Sequence, residues 1–281
     1  MSSDLNLKDF IKNAIAEDVG DGDHTALSTI PLETQGKAKL LVKEAGILAG
    51  VELALEIFNQ IDSKLQISTF FNDGDEVKVN DVVFIVSGST HSILLAERLV
   101  LNCMQRMSGI ATLTNRLVKL VKPFGVKLLD TRKTTPGLRM LEKWAVRIGG
   151  GVNHRMGLYD MILIKDNHVD YAGGIKQAIN AANLYLKENH KNLEIEIEVR
   201  NMQELNEALE VGNIQRIMLD NFSPEVLTTA VKLINNRFKT EASGGITESN
   251  ILEYAKTGVN YISMGALTHS IKSLDLSLKA I

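Results

Sequence analysis

The sequence predicts an α/β protein in which a small α+β region precedes a β/α barrel. Three observations carry that expectation. After Pro123, six short apolar runs each lead into a helical pattern or the chain's last turn, at near-regular intervals. Polar residues gather at the carboxyl end of every run, and a barrel brings all such ends to one rim. Ahead of Pro123, short alternating segments separated by Gly/Asp turns read as an antiparallel layer.

From the amino terminus, residues 5–19 place Leu7, Phe10, Ile11 and Ala14 at helical spacing and stop at the turn cluster GDGDHT. Asp23, His24 and Thr25 there could carry chemistry, with capping of the next element as the competing role. KAKLLVK alternates as a strand, the helix ELALEIFNQI follows Gly50, and LQISTFF and DVVFIVSG read as further strands. Ser92 to Val121 is a long, mostly apolar helical stretch broken only by Gly109, and a candidate for subunit contact. By periodicity alone its Arg98 is a surface arginine beside Glu97. The six runs are VKLLDTRK, MILIKDN, LEIEIEV, RIMLDN, KTEASGG and YISMG, and Asn201, Ser223 and Thr247 stand where they can cap the helices after the third, fourth and fifth. An open doubly wound sheet would spread the polar ends along one edge; six matching ends favour the barrel. The final SIKSLDLSLKAI alternates and is expected to return as a strand to the first region.

Bulk properties exclude several classes. A chain of 281 residues with 44% hydrophobic and 23% charged residues is that of an ordinary soluble globular protein. A net charge of −3 argues against general nucleic-acid binding, which needs a broad basic face. MSSDLNLKDF has neither a basic nor an apolar leader segment, and no run approaches the roughly 20 apolar residues of a membrane span. Cys103 is alone in an apolar stretch, so neither a disulfide framework nor a cysteine metal site is expected. A cytoplasmic location is the expectation.

Charge is nonetheless concentrated locally. Between residues 130 and 165 there are seven Lys/Arg against three acids, which suits a ligand with several negative charges. Glu194, Glu196 and Glu198 fall on one side of their strand, where unpaired carboxylates would be costly. They are expected to face a polar barrel interior, with Glu198 nearest the rim and Lys133 and Lys165 as partners for the deeper acids; a solvated edge strand is the competing account. Asp220 is the second rim acid, since Ser223 is placed to cap the following helix. Two separated carboxylates suit Mg²⁺, held partly through water, whereas His154 and His168 lack a third ligand for zinc. SGGI and SMGA close the last two runs, where glycines admit backbone N–H groups to a phosphate. The triple glycine 149–151 follows a helix and is no dinucleotide fingerprint. LLDTRKTTPG departs from the loop of the commoner phosphoribosyltransferases in having one acid, and Pro136 between the threonines and Gly137.

Taken together, EDVGDGDHT, KEAGILAGVE, AERLVLNCMQRMSGIAT, DTRKTTPGLR, GGGVNHRMGLYDMILIKDNH, EIEVRN, IMLDNF, EASGGI and ISMGALTHS resemble the quinolinate phosphoribosyltransferases over nearly the whole chain. The resemblance implies an N-terminal α/β sandwich (residues 1–109, with 270–281 returning to it) and an incomplete (β/α)6-type barrel (110–269), with the site at the carboxyl ends of the strands. It implies transfer of phosphoribose from 5-phosphoribosyl 1-diphosphate to quinolinate with decarboxylation, giving nicotinate mononucleotide, diphosphate and CO₂. Thr131, Arg132, Lys133, His154, Arg155 and Lys165 would bind quinolinate, and Arg98 would be donated across a homodimer interface, or within a higher oligomer. Lys133, Glu198 and Asp220 would bind the diphosphate sugar, with Mg²⁺ on the two acids. Ser243, Gly244 and Gly245, with Ser263, Met264 and Gly265, would hold the 5-phosphate; Lys133, Lys165, Glu198 and Asp220 would be the catalytic set.

Three other functions compete. A phosphoribosyltransferase for a monocarboxylate such as nicotinate would need fewer cations than Arg132, Arg139, His154 and Arg155 supply. A barrel aldolase or lyase would use Lys133 or Lys165 as a Schiff base. A non-catalytic sugar-phosphate binder leaves the acids at 198 and 220 without a purpose.

Overall fold

The computed structural model describes residues 2–281, with side chains from Leu7 onward; Met1 and the side chains of residues 2–6, part of the stretch read for a leader, lie outside it. The chain divides into two compact units, residues 1–113 with 271–281, and residues 114–270. Among the described residues no helix is long and apolar enough to cross a membrane.

The first unit contains α1 (Ser2–Val19), α2 (His24–Thr29), β1 (Gln35–Val42), β2 (Gly46–Ile47), α3 (Val51–Ile61), β3 (Gln66–Thr69), β4 (Glu76–Val77), β5 (Val82–Ser89) and most of α4 (Thr90–Val121). Its sheet has the order β12-β1-β5-β3, in which β12 (Leu276–Ala280) is the last element of the chain, paired antiparallel with β1. Alternation in β1 buries Ala38, Leu40 and Val42 on one face, and α3 contributes Leu53, Ala54, Ile57 and Phe58 to the core. Phe58 meets Phe84 edge-on at 5.7 Å between ring centroids. Asp23 caps α2, accepting from the Ala26 amide at 3.0 Å. Contrary to the expected break, α4 runs unbroken through Gly109. A β-carbon there would collide with the Lys272 carbonyl, so glycine marks a close approach rather than an interruption.

The second unit holds the six runs as strands: β6 (Lys127–Leu129), β7 (Ile162–Ile164), β8 (Ile195–Val199), β9 (Arg216–Asp220), β10 (Lys239–Ser243) and β11 (Tyr261–Ser263). Between them lie α5 (Arg139–Ile148), α6 (Asp166–Ala172), α7 (Ile175–Glu188), α8 (Met202–Val211), α9 (Pro224–Ile234) and α10 (Ile251–Ala255), and α11 (Ala266–His269) follows. All strand pairs are parallel, in the order β6-β11-β10-β9-β8-β7. From β7 to β11 each strand therefore neighbours the next in sequence, and β11 pairs with β6. Only β6 and β7 fail to pair, which makes an incomplete six-stranded β/α barrel. In the opening, Val152 forms an isolated bridge to Leu129.

Asn201 and Ser223 cap α8 and α9 as expected. Thr247 does not cap α10: that helix starts four residues later, and Thr247 instead donates its amide to Asn250 Oδ1 at 2.7 Å. The solvated-edge account fails for Glu196 and Glu198, because β8 lies between β7 and β9 with all five residues buried, but Glu194 precedes the strand and is exposed, outside the polar interior expected for it.

Candidate active site

The short strands end abruptly, and residues at or just beyond the end of each strand line one cavity of about 790 Å³, within the range of small-molecule sites. Thr131, Arg132, Lys133, His154, Arg155, Lys165, Glu198, Asp220, Ser243, Gly244, Gly245, Ser263, Met264 and Gly265 all line it. Arg98 is exposed on α4 in the first unit. Arg139, counted above among the cations, is spent on the chain itself: it donates to Thr134 Oγ1 at 3.0 Å and to the Met156 carbonyl at 3.1 Å.

Strand order sorts the chemistry around the rim. Cations come from the segment after β6 (Arg132, Lys133), from the strap across the opening (Arg155) and from the end of β7 (Lys165). Acids come from β8 (Glu198) and β9 (Asp220), and glycines from the ends of β10 and β11. Because β11 pairs with β6, the glycine arc leads back to Lys133, whose carbonyl accepts from Thr268 Oγ1 at 2.7 Å. Lys165 Nζ joins the cationic and acidic arcs through Glu198 Oε2 at 2.7 Å.

Asp220 has its pKa raised, first by burial and then by the neighbouring Glu198 charge, with Lys165 opposing both. Arg155 is 9% exposed; burial and then Arg132 lower its pKa, and one guanidinium nitrogen donates to the Met161 carbonyl at 3.3 Å. Gly244 adopts φ +88°, and a side chain there would strike Asn221, so glycine at this turn is required by the close approach of Asn221.

Beneath the rim lies a second layer that was only half foreseen. Glu196 and Glu241 are fully buried. Their partners are not Lys133 and Lys165: His154 Nε2 lies 3.0 Å from Glu196 and 3.5 Å from Glu241, and Arg216 lies 3.1 Å from Glu241 and 3.8 Å from Glu196. The Arg216 guanidinium also sits 4.5 Å from the centroid of the Tyr261 ring. A lysine at a strand's outer end points to the mouth, whereas these acids are one pleat deeper. Period two gave the missing signal: two residues back from Ser243 is Glu241, and four back from Asp220 is Arg216.

Burial opposes charge on the His154 ring, but the hydrogen bonds to Glu196 and Glu241 outweigh it and raise its pKa to about 9. Burial and Glu241 repulsion together push Glu196 up, against His154. Nδ1 of His154 accepts the Arg155 amide at 2.8 Å, so the neutral ring carries its proton on Nε2. A second proton exchanges that amide bond for the field of two carboxylates. His154, Glu196 and Glu241 also have the spacing of a metal cluster, but Arg216 already supplies the cation there. The rim pair Glu198 and Asp220 could hold a hard cation: both are oxygen donors, and a cation would relieve the Glu198 repulsion that, after burial, raises Asp220.

The family models described as quinolinate phosphoribosyl transferase, N-terminal and C-terminal domains, match residues 23–108 and 110–279. The chain is 48% identical to quinolinate phosphoribosyltransferase (decarboxylating) 1b of Nicotiana tabacum over 289 residues, covering 98% of this chain and 82% of that protein. It is 44% identical to a probable nicotinate-nucleotide pyrophosphorylase (carboxylating) of Bacillus subtilis, covering 98% of this chain and 93% of that one. A solved nicotinate-nucleotide pyrophosphorylase from Francisella tularensis superposes with a TM-score of 0.93 at 42% identity, over 100% of this chain and 98% of that chain. With both halves of its length matched in order, the chain belongs to the quinolinate phosphoribosyltransferase family.

Proposed function

We propose that this enzyme transfers phosphoribose from 5-phosphoribosyl 1-diphosphate to quinolinate and releases diphosphate and CO₂. The observation that carries the reading is the division of one rim into a cationic, an acidic and a glycine arc. Arg132, Arg155 and Lys165 receive the two carboxylates, for which guanidinium offers paired hydrogen bonds. Glu198 and Asp220 face the ribose, and the turns at Gly244–Gly245 and Gly265 take the 5-phosphate. The pyridine nitrogen then attacks the anomeric carbon as the bond to diphosphate breaks. Carboxylates stabilise the oxocarbenium-like charge at the sugar, and Lys133 balances the departing diphosphate. In the pyridinium product the ring nitrogen draws the electron pair of the breaking bond to the 2-carboxylate; CO₂ leaves and carbon 2 takes a proton.

Glu198 and Asp220 would hold Mg²⁺, which supplies charge neutralisation for the diphosphate when bound. A homodimer in which Arg98 of one subunit completes the other's quinolinate site, and a cytoplasmic location, belong to the same proposal. The test is coupled measurement of CO₂ and diphosphate release with quinolinate and 5-phosphoribosyl 1-diphosphate as substrates and nicotinate as the control acceptor. With 5-phosphoribosyl 1-diphosphate present throughout, equal release of both products is expected with quinolinate and none with nicotinate; turnover of nicotinate in its place would overturn the assignment.

A further inference from the structure

We propose that Asp130 and Lys143 are positioning residues that fix the quinolinate-binding strap across the opening of the barrel. The inference rests on the assignment of His154 and Arg155 to quinolinate. Every other rim residue follows a paired strand, whose ladder sets its height and direction. His154 and Arg155 do not. They stand on residues 149–156, in the gap where β6 and β7 remain unpaired. The ladder contributes only the Val152 amide to the Leu128 carbonyl at 2.8 Å and the Asp130 amide to the Val152 carbonyl at 3.3 Å.

What replaces the ladder is a buried ion pair. Asp130 and Lys143 are both 0% exposed, an unusual place for two charges unless they are paired and hydrogen-bonded. Lys143 Nζ donates to Asp130 Oδ1 and, at 3.1 Å, to the His154 carbonyl. The same Asp130 oxygen accepts the His154 amide at 2.8 Å. The ion pair thus grips both backbone groups of His154. One residue earlier, Asn153 Nδ2 donates to the other Asp130 oxygen and to the Lys143 carbonyl at 2.8 Å. Arg147 holds the Asn153 side-chain oxygen at 2.6 Å. Neither Asp130 nor Lys143 lines the cavity, so their influence on substrate passes through His154 and Arg155. With a flat dianion to be met by fixed cations, small displacements of the strap weaken quinolinate and leave the diphosphate sugar, held by Lys133 and the acidic and glycine arcs rather than by the strap, largely unaffected.

The experiment separates positioning from folding. Lys143→Met leaves Asp130 buried and unpaired, and is expected to melt far lower. Asp130→Asn/Lys143→Met removes both charges and restores most of that loss, because a neutral buried pair carries no uncompensated charge. In the double variant the KM for quinolinate is expected to rise by about tenfold or more while the KM for 5-phosphoribosyl 1-diphosphate stays within about twofold. Asn153→Ala, which leaves the ion pair intact, is expected to raise the quinolinate KM about three- to tenfold with little change in melting temperature, and it stands alone if the double variant does not fold. A folded double variant, or Asn153→Ala, with wild-type quinolinate KM would overturn the proposal. Wild-type protein without quinolinate turnover would instead remove the functional assignment on which it rests.

Discussion

His154 carries opposite demands on one ring. Its side chain is 6% exposed, yet two carboxylates hold its pKa above the ordinary 6.5, at about 9. A raised folded pKa contributes stability that is complete below about 6.5 and disappears as the pH climbs through about 9. The melting temperature should therefore decline between those values, and His154→Gln should flatten that decline. An identical slope in the variant would show that the proton resides elsewhere in the Glu196–Glu241–Arg216 layer. At the rim the test is chemical. Glu198→Ala should lower kcat by about a hundredfold and blunt the response to added Mg²⁺, while leaving the quinolinate KM within about threefold. An unaltered Mg²⁺ titration would remove Glu198 from the metal site.

At the scale of elements, the close contact of α4 with the final segment of the first unit makes Gly109 a sensitive position. Gly109→Ala gains helix propensity but forces the Lys272 carbonyl away, so a net loss of about 1–3 kcal/mol is expected in denaturant titration. Stabilisation by that substitution would mean the segment yields freely. The same glycine marks a limit of the sequence. Periodicity identified the helix, but the partner that makes glycine necessary lies far along the chain, so its meaning was not local. The barrel strands were legible because each apolar run stops at a polar group, and the caps at Asn201 and Ser223 because the amides that donate to them lie within one turn. Thr247 misled at the same short range: Asn250 takes its amide and α10 starts only at Ile251. The deep layer was readable in principle by carrying the period-two pattern inward from the rim, whereas Arg139 looked like a substrate cation until its bonds to Thr134 and Met156 were visible.

For the whole molecule, the proposed assembly makes a quantitative demand. Arg98 belongs to the first unit, and every other residue assigned to quinolinate belongs to the second. If Arg98 acts on the partner's cavity, a dimer of Arg98→Ala with Lys165→Ala places both lesions in one site and leaves the other intact. Random exchange of equal amounts makes about half the dimers hybrids, so about a quarter of the wild-type sites should return. Either variant alone should be nearly inactive on quinolinate while its melting temperature stays close to wild type, since both side chains are partly or fully exposed. Refolding the mixture from denaturant guarantees exchange, and CO₂ release counts the restored sites. If the refolded mixture recovers no activity although mass measurement shows hybrids present, Arg98 serves its own subunit or none, and the shared site is wrong.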